Sequence, residues 1–267
     1  MFGERQPVLD AALAGVSDAS GFRAGICARG LEGPLSGWSV GVDEELASPS
    51  ASLIKVPILV ALLREADRRS LSLDEALGVR REDLVEDSEM LETEELPARV
   101  PVRRLAEGMI TLSDNAATNL LIRRIGMERV NDLAHDLGLR STCLRRKMMD
   151  PEARARGEEN LTSASDMVVL LGEIWRGSFL SPESKALALE LLLGQRMESR
   201  VPVALPPGAR YAHKTGELQG VENDAGLVLL PGRTFALAVL VEGDVERAVP
   251  PVAATVSVVC EAFAAFP

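Results

Sequence analysis

The sequence is poor in several residue types, and each shortage excludes a class of protein. Aromatic residues make up only 3% of the chain, so a core must rest on Leu, Val, Ile and Ala. Three cysteines, Cys27, Cys143 and Cys260, stand far apart with no CxxC or Cys/His spacing. This argues against a zinc site and a disulfide framework, but not against a single bridge. We expect neither a metal nor a cofactor.

Histidine is scarcer still, because the chain contains only His135 and His213. The first falls in a predicted helix. The second falls at a strand position that alternates away from the lysine that follows it. We therefore interpret both as structural residues, and we expect a lysine rather than a histidine to be the base of any serine chemistry.

Positive charge is also in short supply, with 29 Lys and Arg against 40 Asp and Glu and a net charge of -11. An acidic surface repels phosphate backbones, so we expect no nucleic-acid partner. The chain has no uninterrupted apolar run of about 20 residues, and its start lacks the charged and apolar regions of a signal peptide. We expect a soluble monomer without membrane contact, cytoplasmic as written, or periplasmic or secreted if a leader was removed.

Hydrophobic periodicity indicates strands near both ends of the chain and helices between them. The predicted strands are 22–28, 38–42, 209–217, 222–230 and 234–242. The predicted helices are 7–17, 53–68, 101–112, 116–125, 127–137, 163–176, 182–195 and 248–265. The strands should join in one five-stranded antiparallel sheet flanked by the terminal helices, an α/β (α+β) fold. We predict a sheet lobe of residues 1–49 and 198–267, an all-helical lobe of residues 50–197, and a cleft between them.

Ser52 and Lys55 lie three residues apart at the start of a strongly apolar segment. On a helix this spacing places both side chains on one face. Burial lowers the pKa of a lysine, and a neutral amine can take the proton of a serine hydroxyl. Pro57 fits this interpretation only in the first turn of the helix. The alternative is a capping serine followed by a lysine that extends to the surface.

A polar triplet, Ser113-Asp114-Asn115, separates two apolar helical segments. Such a triplet commonly caps the second helix. As a functional motif, Ser113 would pass a proton to a leaving nitrogen, and Asn115 would hold a lysine or a substrate amide. Asp114 keeps a structural role under either interpretation.

A third motif, Lys214-Thr215-Gly216, ends a predicted strand. The glycine permits close approach to the strand backbone, and the lysine and threonine could bind a carboxylate. The backbone N–H of Glu217 could pair with that of Ser52 as an oxyanion hole. The alternative is a strand that simply ends in a turn.

The three motifs occur in order, on a helix start, an inter-helix loop and a strand end. With them, the chain resembles the serine β-lactamase and penicillin-binding protein superfamily, most nearly its class A side. The resemblance covers roughly residues 20–245, which it implies are one catalytic domain, and segments 109–121 and 223–228 add to it.

The resemblance implies a role for each motif residue. Ser52 would be the acylated nucleophile, Lys55 its base and Ser113 the proton relay. Lys214 with Thr215 would bind the substrate carboxylate.

The sequence departs from class A in the irregular stretch Leu144–Leu161. Class A enzymes carry Glu-x-x-Leu-Asn there, with a glutamate that activates the deacylating water, and this motif is absent. Asp150 or Glu152 is the best substitute. Without a placed base, an acyl-enzyme would form and persist, as in penicillin-binding proteins.

The leading hypothesis is a hydrolase that opens β-lactams through an acyl-Ser52 intermediate. One alternative is a DD-peptidase or esterase of the same fold, for which β-lactams are poor substrates. Another is a sensor module that stays acylated. The expected ligand in each case is a small β-lactam, or an acyl peptide or ester.

Overall fold

The computed structural model describes residues 2–17, 20–177, 179–199 and 205–265, with the backbone alone at residues 2–6. Within the predicted sheet lobe, residues 1, 18–19, 200–204 and 266–267 lie outside the described residues.

Strands and helices follow the predicted order along the chain. The strands are β1 Phe22–Gly30, β2 Ser39–Val42, β3 Ser48–Pro49, β4 Ala76–Val79, β5 Ala98–Pro101, β6 Leu161–Thr162, β7 Arg210–Leu218, β8 Val221–Leu229 and β9 Phe235–Gly243. The helices are α1 Phe2–Ser17, α2 Lys55–Asp67, α3 Glu89–Glu92, α4 Val102–Thr111, α5 Asn115–Ile125, α6 Met127–Asp136, α7 Pro151–Ala155, α8 Ala164–Arg176, α9 Pro182–Leu193 and α10 Val245–Ala264. The two terminal helices begin earlier than expected, α1 with Pro7 inside it.

The central sheet has five antiparallel strands in the order β2-β1-β9-β8-β7. This confirms the predicted fold class, because strands from both ends of the chain meet in one sheet. The register pairs Phe22 with Gly243 at one end of β1 and Gly30 with Phe235 at the other. Strand β7 lies at the edge of the sheet, so the third motif is paired on one side only.

Two apolar cores lie on the two faces of this sheet. On one face α1 and α10 pack against larger side chains such as Leu237 and Val239. On the other face the helical region packs against small side chains, among them Ala225, Ala236 and Ala238. Small residues let a helix approach a sheet closely, and α8 lies against β1, β8 and β9 on this side.

The region 50–197, predicted to be all helical, is mainly helical but also contains short strands. Strands β4 and β5 form one antiparallel pair, and β6 pairs with β3 just outside the region. These strands have two to four residues, too few for alternation to be detected in the sequence. The β3–β6 pair has a positional consequence, because it ties the end of the irregular stretch to the chain just before Ser52.

Helix α10 is the one helix of the described residues long and apolar enough to cross a membrane by length and composition alone. Its apolar side chains are used within the fold, since Val252, Val256 and Val259 are fully buried against the sheet. The three cysteines are all free, so the single bridge that the sequence left open is not formed.

Candidate active site

Ser52 lies in a single 3-10 turn, Ala51–Ile54, that leads directly into α2. The chain enters this turn with Ala51 at φ 47°, a left-handed conformation that is strained for a residue with a Cβ. The two residues after Ser52 are fully buried, whereas Ser52 is partly exposed. Pro57 falls in the first turn of α2, where a missing N–H costs no helix hydrogen bond.

The side chain of Lys55 is fully buried, and its amine is held by the loop between α4 and α5. Its Nζ donates to the Ser113 carbonyl oxygen at 2.5 Å, to Ser113 Oγ at 2.9 Å and to Asn115 Oδ1 at 2.8 Å. Burial lowers the pKa of Lys55 well below its usual value, and the charge of Lys214 lowers it further. Among the described residues, none of its hydrogen bonds goes to Ser52.

The second motif is shaped by its own backbone and side-chain contacts. Ser113 has φ 58°, which turns the chain sharply between the two helices. Asp114 caps α5, because its Oδ1 accepts a hydrogen bond from Ala117 N at 2.7 Å. Its Oδ2 accepts from two backbone N–H groups of α3, which accounts for its complete burial. Asn115 is held by Nδ2, which donates to the Glu86 carbonyl oxygen at 3.0 Å.

The third motif lies against the Ser52 turn. Lys214 is fully buried, and its Nζ donates to the Thr215 carbonyl oxygen at 2.9 Å. Burial lowers the pKa of Lys214 to about 7. A Cβ at Gly216 would lie 3.0 Å from the Ser50 carbonyl oxygen and 3.1 Å from Ser52 N. The glycine is therefore what allows β7 to approach the turn so closely.

Two cavities of about 530 and 400 Å³ meet at Ser52. Asn115 and Glu217 border both of them. The larger cavity continues to segment 144–161, and the smaller one continues to Ser113. The structure thus brings all three motifs to one cleft, with a partly exposed hydroxyl at its centre. The oxyanion role of the Glu217 backbone stays a prediction.

The two acids predicted as substitutes for the missing glutamate are placed differently. Asp150 borders the Ser52 cavity, but its Oδ1 accepts a hydrogen bond from Ala153 N at 2.9 Å and so caps α7. Glu152 is exposed and borders a neighbouring cavity whose wall does not include Ser52. Of the two, only Asp150 lies at the cleft.

The other acids of this segment are bound by arginines. Arg146, itself buried, donates to Glu159 Oε1 from Nη2 at 2.6 Å and from Nε at 3.0 Å. Arg156 donates from Nε to Glu158 Oε1 at 2.8 Å and from Nη2 to Oε2 at 3.1 Å, so it binds both carboxylate oxygens. The segment's share of the Ser52 cavity wall is mixed, with Met148 and Met149 beside two acids, Asp150 acting as a helix cap and Glu159 bound by Arg146.

Three asparagines position the cleft although the sequence assigned them no role. Asn119 accepts from Met148 N at 2.8 Å and donates to its carbonyl oxygen at 3.0 Å. The Asn160 carbonyl oxygen accepts from Ser50 N at 2.8 Å, and Asn223 donates to the Ser50 carbonyl oxygen at 3.3 Å. Only Asn119 had a sequence signal, since it lies four residues after the asparagine of the second motif, on the same helix face.

Neither histidine borders the two cavities at Ser52. His213 Nδ1 lies 3.0 Å from Asp224 Oδ1 on the face of β7 opposite Lys214. His135 is in the last turn of α6 and borders a separate surface cavity. The structure therefore offers no histidine base for Ser52.

Comparison with known proteins identifies the family. The model of the Beta-lactamase enzyme family matches residues 8–260. The chain belongs to this family. It is 30% identical over 246 residues to a β-lactamase of Streptomyces albus G, covering 88% of this chain and 77% of that protein.

Solved structures of this β-lactamase fold resemble the chain over nearly its whole length. A PBP-A mutant in an acyl-enzyme complex with penicillin-G has a TM-score of 0.87 at 29% identity, covering 98% of this chain and 97% of that one. A β-lactamase from Sphaerobacter thermophilus DSM 20745 has a TM-score of 0.83 at 27% identity, covering 97% and 98%. As a family member, the protein is a serine β-lactamase-like hydrolase.

Proposed function

We propose that the protein opens β-lactams by acylating Ser52, and that it releases the acyl group slowly. One observation carries this proposal. A buried lysine amine with a strongly lowered pKa lies one helical turn from a partly exposed serine and is bound to a second hydroxyl. This arrangement supplies a base, a nucleophile and a route for the proton.

In the acylation step the neutral amine of Lys55 accepts the proton of Ser52 as Oγ bonds to the lactam carbonyl carbon. The carbonyl oxygen becomes an anion, which the backbone N–H groups of Ser52 and Glu217 stabilise. The proton then passes from Lys55 to Ser113 Oγ, 2.9 Å away, and on to the lactam nitrogen. The carbon–nitrogen bond breaks, and the ring-opened substrate remains as an ester of Ser52.

Recognition of the substrate carboxylate is assigned to Lys214 and Thr215. Thr215 borders the smaller cavity at Ser52 and would donate its hydroxyl to the carboxylate. Lys214, fully buried on the opposite face of β7 and bordering neither cavity, would attract the carboxylate by its charge. The proposed catalytic unit spans residues 20–245, with the helical part contributing Ser52, Lys55 and Ser113 and the sheet contributing the carboxylate site.

Slow release follows from segment 144–161. Hydrolysis of the ester needs a base that activates water against the Ser52 carbonyl carbon. Asp150 is occupied as a helix cap, and Glu159 is held by Arg146. The PBP-A mutant whose structure is an acyl-enzyme complex with penicillin-G supports an intermediate of this kind in this fold.

Time-resolved intact mass spectrometry after addition of benzylpenicillin tests the proposal. We expect an adduct with the mass of the whole penicillin, at one equivalent per enzyme, followed by a much slower return to the free mass. Absence of both an adduct and hydrolysis would overturn the proposed acylation. Rapid hydrolysis without accumulation of the adduct would leave acylation standing and overturn the slow release.

A DD-peptidase or esterase is the second candidate, and the apolar wall of Met148 at the cleft favours it. Such an enzyme would transfer an acyl group from a peptide or ester at a useful rate, while a β-lactam would only block it. A colorimetric ester assayed before any penicillin is added separates the two. We expect repeated turnover of the ester if the second candidate is correct, and no more than about one equivalent of product if it is not. One equivalent of penicillin should block Ser52 in both cases and so serves as the control that the ester reacts at the same site.

A further inference from the structure

A buried polar cluster lies behind the strand that carries Lys214 and Thr215. Asp224 on β8 is 2% exposed and pairs directly with Thr215 across the two strands. Its Oδ1 accepts a hydrogen bond from Tyr211 OH at 3.0 Å and lies 3.0 Å from His213 Nδ1. The rings of Tyr211 and His213 stack with centroids 4.3 Å apart. Two ordered side chains therefore hold one carboxylate in a single orientation.

The proposed acylation steps do not use this cluster, yet a buried carboxylate costs several kcal/mol unless it is compensated. The two hydrogen bonds compensate it in part. A buried cation lies on the other side of the same strand, since Lys214 is fully buried. Among the described residues Lys214 makes no ion pair, and its hydrogen bond goes to the neutral carbonyl of Thr215.

Burial and the Asp224 charge shift the pKa of Lys214 in opposite directions. Its burial favours the neutral amine, and Asp224 opposes this by raising the pKa of Lys214. On the helical side the titratable group coupled to Lys214 is Lys55, on which Asp114 and Asp87 also act. On the other side, Asp224 faces Tyr211 and His213, and Cys260 of α10 acts on Tyr211.

We propose that Asp224 is a positioning residue for recognition of the substrate carboxylate: from behind the strand, its fixed negative charge keeps Lys214 cationic. This inference rests on the carboxylate-binding role proposed above for Lys214. Tyr211 and His213 fit this role, because each contacts the Asp224 carboxylate and orients it, and neither is a permanent cation that would cancel its charge.

The kinetic test uses Asp224→Asn, which keeps the shape and the acceptor oxygen but removes the charge. The measurement is the second-order rate constant for acylation by benzylpenicillin from pH 5.5 to 9. Loss of an opposite charge buried on the neighbouring strand moves a pKa by about one unit, so the alkaline limb of the rate profile should move about one unit lower. The variant should then be about tenfold slower at pH 8 and within about twofold at pH 6.

Two further variants and one control distinguish the effect of the Asp224 charge from damage to the fold. His213→Arg keeps Asp224 but places a permanent cation against it, so the alkaline limb should shift in the same direction. Asp224→Glu keeps the charge and should restore the wild-type limb. Glu128→Gln, an exposed acid on α6 away from the cleft, removes one negative charge from the protein and should leave the profile unchanged.

A direct measurement does not depend on any β-lactam. The chain has only four lysines, Lys55, Lys147, Lys185 and Lys214, so carbon-13 NMR of labelled lysine side chains gives a simple spectrum. Lys147→Arg and Lys185→Arg assign two of the four signals. We expect the Lys214 signal to titrate near pH 7 in the wild type and about one unit lower in Asp224→Asn.

The two measurements distinguish failure of this inference from failure of the proposed function. An unchanged Lys214 titration in folded Asp224→Asn overturns the inference, whatever the protein does to penicillin. A uniform loss of rate at every pH, with no shift of the limb, also overturns it, because a purely structural role would act in that way. If the wild type is never acylated, the proposed function fails, and the NMR titration still decides whether Asp224 controls the charge of Lys214.

Discussion

The floor of the cleft and the loop above it are built in different ways. On the floor, Lys55 and Lys214 are fully buried on helix and strand, and each is held by hydrogen bonds to neighbouring backbone. In the loop, segment 144–161, the acids are exposed, serve as a helix cap or are bound to arginines. The floor buries two lysine amines whose pKa values are lowered by burial, where the proposed chemistry uses them. In the loop, the charged side chains bind one another or cap a helix, and so stabilise the loop's own conformation.

This difference matters because the two regions serve different halves of an acyl-transfer cycle. Pre-organised groups on rigid elements lower the barrier for forming the ester. A loop whose carboxylates are already engaged offers little to the water that must break it.

The largest effect is expected for Ser52→Ala, which should abolish covalent labelling by penicillin because it removes the hydroxyl proposed to form the ester, and Ser113 is assigned to proton transfer instead. Intact mass spectrometry measures the adduct. Ser36→Ala, at an exposed serine in a turn that borders neither cavity at Ser52, is the matched control and should label normally. A full adduct on Ser52→Ala would show that penicillin acylates a different residue.

Lys55→Arg should slow acylation by roughly 10²–10⁴-fold, the usual contribution of a general base. Arginine can still donate to Ser113 and Asn115, but it does not give up its proton in proteins. Single-turnover acylation measures the rate, and Lys185→Arg is the control. An acylation rate within tenfold of the wild-type rate would show that Lys55 only supports the turn between α4 and α5.

Met148→Glu should accelerate release of the acyl group by about 10²-fold, because it adds a carboxylate to the cleft wall. The Asn119 side chain binds both the N–H and the carbonyl oxygen of residue 148. The backbone at this position should therefore stay in place when the side chain is changed. Decay of the acyl-enzyme mass measures release. Met148→Gln has the same length without a base, and equal acceleration by both variants would indicate water access instead.

Lys214→Met tests how much free energy of unfolding is lost by burying the Lys214 cation. The test is the pH dependence of the free energy of unfolding. The pKa of Lys214 is about 7 in the folded protein and near 10.4 when unfolded, so burial of the cation costs most below pH 7. The variant should therefore be more stable than the wild type at pH 6, with an advantage that falls by about 1.4 kcal/mol per pH unit above pH 7. Urea unfolding at pH 6 and 8.5 measures it. A pH-independent difference, as expected for Lys185→Met, would contradict the assignment.

The smallest effect is expected for Asp150→Asn, which should change the release rate by no more than about twofold. Asparagine also caps helices, so α7 should remain in place. Glu152→Gln should have no effect, because Glu152 lies outside the cleft. If Asp150→Asn slowed release more than about tenfold, Asp150 would be the deacylating base and the loop would be a catalytic element.

Local patterns predicted the floor well. The spacing of Ser52 and Lys55, the place of Pro57 and the capping role of Asp114 all depend on contacts within one or two helical turns. Such contacts are encoded in short stretches of sequence, which is why their geometry could be anticipated.

The loop and the back of the sheet could not be predicted in the same way. The pairing of Arg146 with Glu159 depends on how the loop closes. In another conformation of the loop, the Glu159 carboxylate could have been free. The cluster at Asp224 depends on the register of β7 and β8, which brings Tyr211 and His213 beside it. Strands β3 and β6 are too short to leave a pattern, although they bring the loop to the Ser52 turn.

The pairing of β1 with β9 also constrains how the protein is made. These partners are about 200 residues apart in the chain, and ribosomes add roughly 5–20 residues per second. The first strand therefore waits on the order of 10–40 s for its neighbour, while the intervening helices can already fold locally. During that interval β1 can pair with β2, but its other edge is open to chaperones and to other nascent chains. Slower translation should therefore lower the yield of native protein more than it would for a helical bundle.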